Sequence, residues 1–514
     1  MNIIQRIGLI LFVLGLAIFS VLPFIGSYQL EQEMVENEVK DIHLDAMVEV
    51  LRPMYGQYYE SNFAFISDFN ENFDNYNEEL KGKEDWDNVI WDDYTYPLTK
   101  AASTGPVSQN PYFYLSITVC LGVLGGLMYI FPLHRNEPEG IKNDGIYFSS
   151  IKARGLLGII TGTWLIVFYI ILYWFPAYLT NLILMVDPLS IALSGNPASQ
   201  WFLYGFIYTL AIVVMGIRMF RKYKGNAYQT IRTASVMFFQ LAFAFLLPEI
   251  LVLLNMPWHD FKNIWPLDYS FFYDYRIDGM LSSGALGMFM LVWGIILIVL
   301  GVPIFTYFYG KRWYCSWVCG CGGLAETLGD PYRQLSDKSL KSWQIERYMV
   351  HGVLVFAVLM TAVTIANYFS GFAILGSATD QLHSVYGFLI GSAFAGVIGT
   401  GFYPLMGNRV WCRFGCPLAA YLGLVQRFKS RFRITTNGGQ CISCGNCSTY
   451  CEMGIDVRWY AQRGQNIVRS SCVGCGVCSA VCPRGVLKLE NADEEGRINE
   501  MPIIIGNKSI TVKS

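Results

Sequence analysis

Charge is scarce in this chain of 514 residues: Asp, Glu, Lys and Arg make up 15% of it, against 53% hydrophobic residues. That balance excludes an ordinary soluble globular protein. Histidine is scarcer still. The five histidines are scattered over loops and the ends of apolar runs, which speaks against a bis-histidine haem site. Segment 27–110 has no cysteine, no CxxCH haem-attachment motif and no nucleotide fingerprint. The formal net charge of −2 leaves no basic excess for a polyanion, so no nucleic-acid partner is expected.

What is abundant is apolar sequence in blocks. Runs near the roughly 20 residues that a spanning helix needs occur at Ile7–Phe24, Tyr112–Phe131, Gly155–Trp174, Phe202–Met219, Val236–Leu254, Met280–Phe308, Met349–Phe369 and Val385–Leu405. Eight transmembrane helices are therefore expected. Leu179–Val186 is apolar but short, stands beside Asp187 and Pro188, and reads as an interfacial or re-entrant piece. Lys and Arg concentrate around Arg135–Arg154, Arg218–Arg232 and Lys311–Arg347, and are absent from Pro176–Gln200 and Ser370–Ser384. The positive-inside rule then puts both termini in the cytoplasm and 27–110 outside, in a bacterial inner membrane. The first run reads as an uncleaved anchor, residues 1–26, because no convincing small-residue cleavage site follows it.

Segment 27–110 mixes acidic stretches, such as Glu31–Glu38 and Glu84–Asp93, with many aromatic residues. It is too aromatic for a disordered tail and predicts a small, mostly helical cap. Its acids either keep the cap soluble or form a docking face for a basic partner.

Eight cysteines near the C-terminus repeat one spacing: Cys441-x2-Cys444-x2-Cys447-x3-Cys451 and Cys472-x2-Cys475-x2-Cys478-x3-Cys482, closed by Pro483. In this pattern three close cysteines reach one four-iron cube and the remote fourth ligates the other. Cys441, Cys444, Cys447 and Cys482 are thus expected to hold one [4Fe-4S] cluster, and Cys472, Cys475, Cys478 and Cys451 the second. Zinc knuckles or a disulfide lattice have no use for the crossed fourth cysteine. Residues 431–514 read as a small α+β ferredoxin domain of the bacterial two-cluster type, with strands at Val486–Glu490 and Ile503–Val512. The whole is an α-helical integral membrane protein whose membrane domain covers 111–430.

A second repeat aligns Arg312-Trp313-Tyr314-Cys315-Ser316-Trp317-Val318-Cys319-Gly320 with Arg409-Val410-Trp411-Cys412-Arg413-Phe414-Gly415-Cys416-Pro417. Cysteines four apart on a helical turn face one way. Cys315, Cys319, Cys412 and Cys416, with Cys321 as an alternate, therefore form a candidate third cluster or metal site at the cytoplasmic ends of two spans. Buried apolar packing would explain the same cysteines differently, and packing is the reading for the isolated Cys120.

These motifs resemble the polyferredoxin-type membrane subunits of the NapH/NosR/MauN family, over about residues 280 to 486. The resemblance implies an electron-transfer protein working between a quinol pool or a cytoplasmic donor and a periplasmic reductase or accessory protein. It would serve as a quinol-dependent oxidoreductase subunit in systems like nitrate or nitrous-oxide reduction. A redox-sensing or assembly factor for a periplasmic metalloenzyme is the alternative. Two features depart from the family: Gly320 stands where it has Pro, and Cys321 is additional. Polar residues in apolar surroundings, Gln240, Glu249 and His351, are candidates for a quinone or proton site, with His259 further out between Trp258 and Trp265.

Overall fold

The computed structural model describes residues 2–136, 155–437, 440–491, 503–505 and 510–512. Most of the positive loop Arg135–Arg154 lies outside the described residues. Among the described residues, nine helices are long and apolar enough to cross a membrane: Ile3–Phe24, Pro111–Pro132, Leu156–Trp174, Pro176–Ser194, Gln200–Lys222, Ala227–Leu253, Gly284–Tyr309, Leu340–Phe369 and Thr379–Gly401. The protein is a multi-pass membrane protein.

Pro176–Ser194 is the helix that the run-length argument sets aside as too short to cross. It forms a full helix because Pro176 opens a tight turn that continues into Thr180–Ser194, ended by Gly195 in a left-handed conformation. Its surroundings differ from those of the other eight. It is 61% buried, whereas no other exceeds 44%. Asn181 donates to the carbonyls of Leu22 and Ile25 at 3.1 and 2.6 Å, and Asp187 pairs with Lys100 at 2.9 Å. The helix is thus held by residues of segment 22–110.

The chain divides into two compact units, the first formed by 1–136 with 170–207. In this unit, helices Ile3–Val21 and Pro111–Asn136 pack backbone to backbone along small residues. A β-carbon at Gly125 would stand 2.4 Å from the Phe12 nitrogen, and one at Gly15 would stand 2.8 Å from the Gly122 nitrogen. Close approach of this kind gives apolar helices van der Waals contact that lipid cannot replace. Segment 27–110 builds its own core from Tyr28, Leu30, Val35, Met47, Phe65 and Phe69. The short strands Tyr28–Gln29 and Tyr58–Tyr59 pair beside helix Asn62–Gly82. Cys120 is exposed on its helix rather than packed.

The second unit carries every other cysteine. Strand Phe432–Thr436 pairs antiparallel with Leu487–Asn491 in the register Thr436↔Leu487. Both octets lie between these strands, so the pairing brings Cys441 and Cys482, each five residues from that register pair, to the same end of the ribbon. Ile503–Ile505 and Ile510–Val512 pair as a second antiparallel hairpin.

Candidate iron–sulfur sites

Each octet reverses its chain after the second cysteine through a glycine in the left-handed region, Gly445 at φ +78° and Gly476 at φ +73°. Only glycine takes that conformation without a β-carbon penalty. A short helix follows each turn, Asn446–Thr449 and Val477–Ala480, and presents the third cysteine inward: Cys447 and Cys478 are both buried.

Cys441, Cys444, Cys447 and Cys482 line one small cavity together. Burial pushes the Cys447 thiol to about 11, with Cys441, Cys444 and Cys482 adding to the rise. The other group repeats this behaviour. Burial pushes Cys472 to about 11, Cys451 adds to it, and Cys478 sits among Cys475, Cys451 and Cys472. Crowded, dry thiols resist losing protons to one another and become thiolates when a cation shares them, which is the donor set a four-iron cluster requires. The structure thus places Cys482 with Cys441, Cys444 and Cys447, and Cys451 beside Cys472 and Cys478.

The CxxxC repeats behave otherwise than one helix face would. In each copy the first cysteine lies in a helical turn, Arg312–Cys315 or Trp411–Gly415, and the second caps the next helix, Gly320–Glu326 or Pro417–Lys429. Cys416 Sγ accepts a 3.3 Å bond from the Ala419 amide. Helix N-termini point their free amides at these sulfurs, a setting that favours negative charge. Cys315, Cys319, Cys412 and Cys416 are all buried within one core. Cys416 feels the charges of Cys412, Cys315 and Cys319, and Cys321 feels those of Cys319, Cys412 and Cys416. The structure therefore brings all five sulfurs together.

Apolar run ends put them at the cytoplasmic margin, and a β-carbon on Gly320 would stand 2.6 Å from Gln240 Oε1. Gln240 is the middle residue of the span Ala227–Leu253. Helix Gly320–Glu326 folds back into the bundle, with Gly323 against Val236 and Ile212. The crowding also gives a reason for glycine at 320, since Gln240, Tyr208 and Lys262 leave no room there.

From the opposite end of the same span, segment 255–273 folds inward rather than lying on the surface. Asp260 and Lys262 are buried and pair at 3.0 Å, and Lys262 Nζ lies 3.7 Å from the Gly320 β-carbon position. Trp265 Nε1 donates to Thr361 Oγ1, well inside the span Leu340–Phe369, at 2.9 Å. His259 is buried in this segment. Its inward path carries no periodicity, and charged loop residues gave no sequence signal of burial.

The sulfur groups are bonded to each other through the chain. Ser316 Oγ donates 2.7 Å to the Val473 carbonyl, and Gln426 Nε2 donates 2.9 Å to that of Cys472. Tyr228 and Gln229 donate to the carbonyls of Gly474 and Cys475. Beside them lies a buried ionic network that residue types alone do not reveal. Arg333 Nη1 is 3.1 Å from Glu452 Oε2 and Arg333 Nη2 is 3.0 Å from Glu326 Oε2, while Arg232 Nη2 is 2.5 Å from the same Glu326 oxygen. Arg218 and Lys222 reach Asp330 at 3.2 and 2.6 Å, and Arg409 meets Glu452 at 3.0 Å. Among the described residues, five cations thus meet three carboxylates beside the cysteine sites. Glu326, Glu452 and Cys475 offer ligand atoms within 4.8 Å of one another. The arginines around that group make it an ion-pair node rather than a cation site.

The three candidate quinone residues do not share a site. Gln240 donates 3.1 Å to Thr209 Oγ1 beside the five sulfurs. Glu249 is half-buried near Trp258, and His351 lines a cavity that neither of the other two reaches. A different cavity, of about 450 Å³, abuts the second CxxxC copy. Ile345, Met349, Phe394 and Ile398 give it an apolar wall, and Trp411, whose buried Nε1 has no partner, lines it too.

The 4Fe-4S binding domain family matches residues 291–339 and again 387–435, once over each CxxxC copy, and the 4Fe-4S dicluster domain family matches 440–487. YccM of Escherichia coli (strain K12), whose name assigns it to electron transport, is 29% identical over 168 residues, covering 29% of this chain and 43% of that protein. The methylamine utilization ferredoxin-type protein MauN of Methylobacillus flagellatus is 26% identical over 151 residues, covering 29% of this chain and 50% of its own. The chain spans about half the length of the curated relatives it matches. No solved structure matches it. With its spans, its cysteine octets and these matches, the chain carries [4Fe-4S] binding domains on a multi-pass membrane protein and is similar to membrane proteins of the ferredoxin type.

Proposed function

We propose that this chain relays electrons between a quinol or cytoplasmic donor and an extracytoplasmic reductase system of the kind used in nitrate or nitrous-oxide reduction. The relay sits in a bacterial inner membrane with both termini and the ferredoxin domain, residues 431–514, on the cytoplasmic side, as the Lys and Arg distribution favours; this takes eight crossings, with Pro176–Ser194 packed against segment 22–110 instead of crossing. A third cluster is held by four of Cys315, Cys319, Cys321, Cys412 and Cys416. A four-iron cluster takes up and returns electrons one at a time.

The observation that carries the reading is the gathering of five sulfurs between the octets and a spanning helix. Gly320 touches Gln240 of the span Ala227–Leu253 while Ser316, four residues earlier, is bonded to the octet loop at Val473. A path from the octets would thereby reach the membrane helices. Without such a site, the insulating hydrocarbon would separate octets on one face from an acceptor on the other. Segment 255–273, with Lys262 against Gly320, continues in the remaining direction.

Quinol would enter at the cavity beside Trp411. Its apolar wall suits an isoprenoid-bearing ring, and Trp411, whose buried indole N–H has no partner among the described residues, would donate to a quinone oxygen once its ring turns into the cavity. The test is rapid mixing of anaerobic protein with quinol, followed by freeze-quench EPR. Cluster signals rising within a turnover support the relay, and clusters that stay oxidised while dithionite reduces them refute the quinol end.

A further inference from the structure

A second cavity, of about 200 Å³, lies at the N-terminal end of helix Leu340–Phe369, where that helix meets Pro417–Lys429 and the chain at 468–471. It is strongly basic. Lys311 lines it, buried to 2% exposure, with its Nζ donating 3.2 Å to the Ser470 carbonyl. Arg347 and Arg469 flank the Trp343 ring at 5.5 and 5.0 Å, and Arg427 stands over Phe428 at 5.6 Å. Among the described residues, none of these four cations has a carboxylate within ion-pair distance. The acid in the lining, Glu346, is taken by Arg413 at 3.0 Å.

His351 lines the same space, and among the described residues its buried Nδ1 has no hydrogen-bond partner. A buried ring nitrogen without a partner is destabilising. Four cations around 200 Å³ favour an anion there. The three planar guanidinium groups match the tetrahedral oxygens of phosphate better than a single carboxylate.

We propose that this cavity binds a phosphate group. The rim favours a headgroup as its source: Tyr348 and Phe428 are 70% and 69% exposed beside it, as aromatic residues at a lipid–water boundary are. Basic pockets between spanning helices are suited to anionic headgroups. The cavity touches Cys412 on one side and Ser471, the neighbour of Cys472, on the other. A phosphate held there stands between the CxxxC sulfurs and the second octet, and its negative charge bears on both.

The test uses full-length protein with its clusters, in nanodiscs of phosphatidylcholine with or without phosphatidylglycerol, read by native mass spectrometry. Wild-type protein is expected to retain phosphatidylglycerol, and R347Q/R427Q to lose at least tenfold of that retention at unchanged iron content. R463Q, whose arginine stacks on Trp459 at 4.1 Å away from this cavity, should match wild type. In a second arm, inorganic phosphate is titrated against lipid-stripped protein. Saturable phosphate binding that R347Q/R427Q abolishes, without selective lipid retention, assigns the site to a free phosphate. Equal retention by wild type and variant, with no phosphate binding, overturns the proposal. Should the double variant lose iron, R469Q alone is judged by the same criteria.

Discussion

Arg409 Nη2 lies 3.0 Å from Glu452 Oε1, and both side chains are fully buried. Arg409 opens the second CxxxC copy and Glu452 follows Cys451 of the first octet. One ion pair therefore ties the membrane cysteines to the ferredoxin fold. Arg409 Nη1 also donates 3.2 Å to the Cys315 carbonyl. Arg409→Gln should destabilise the protein by about 1–3 kcal/mol, because Glu452 Oε1 loses its donor while Arg333 still holds Oε2. Arg312, its counterpart in the first copy, instead lies 4.6 Å over Phe432 and reaches Asn491 at the surface. Thermal melts should show Arg312→Gln losing clearly less than Arg409→Gln.

Iron content counts the sites. Anaerobically purified protein should hold about twelve irons, and the double variant Cys315→Ala/Cys412→Ala about eight. An unchanged count in that variant would mean that these thiols only pack. Cys321→Ala distinguishes ligand from neighbour: full iron after this change leaves Cys315, Cys319, Cys412 and Cys416 as the four.

Gly320→Ala places a methyl 2.6 Å from Gln240 Oε1 and must displace that side chain from Thr209. A loss of about 1–3 kcal/mol is expected from such overpacking. Adding Gln240→Ala should recover part of it. Coupling above about 0.5 kcal/mol in the double-mutant cycle marks direct contact.

Lys262→Gln removes a buried positive charge beside Gly320. Reducing a cluster adds negative charge, so its potential should fall when the cation is lost. Redox titration by EPR should show one cluster shifted downward and the octet clusters unmoved.

Trp411→Phe deletes the unpartnered N–H while keeping the aromatic wall. Quinol-driven reduction should slow by up to about tenfold, the effect of one hydrogen bond, with dithionite reduction unaffected. Equal quinol rates would remove Trp411 from the quinone site.

Much of this protein can be read without coordinates. Eight of the nine long apolar helices match apolar runs because the bilayer imposes one length on any crossing segment. The octets read directly since their ligands lie on short turns, with Gly445 and Gly476 where the chain must reverse. Helix Pro176–Ser194 was harder: Asp187 interrupts its apolar run, and the Lys100 that neutralises it is 87 residues away.

What sequence by itself determined were the local matters: helix lengths, cysteine spacing, the repeat of two CxxxC copies and the sign of each loop. Tertiary structure alone decided where the CxxxC sulfurs lie. Their surroundings depend on Gln240, Gly320 and Lys262 meeting from three separate segments, and on Arg409 finding Glu452 across 43 residues. Such contacts leave no period or spacing along the chain, because burial of a polar group is set by its distant partner rather than by its neighbours in sequence.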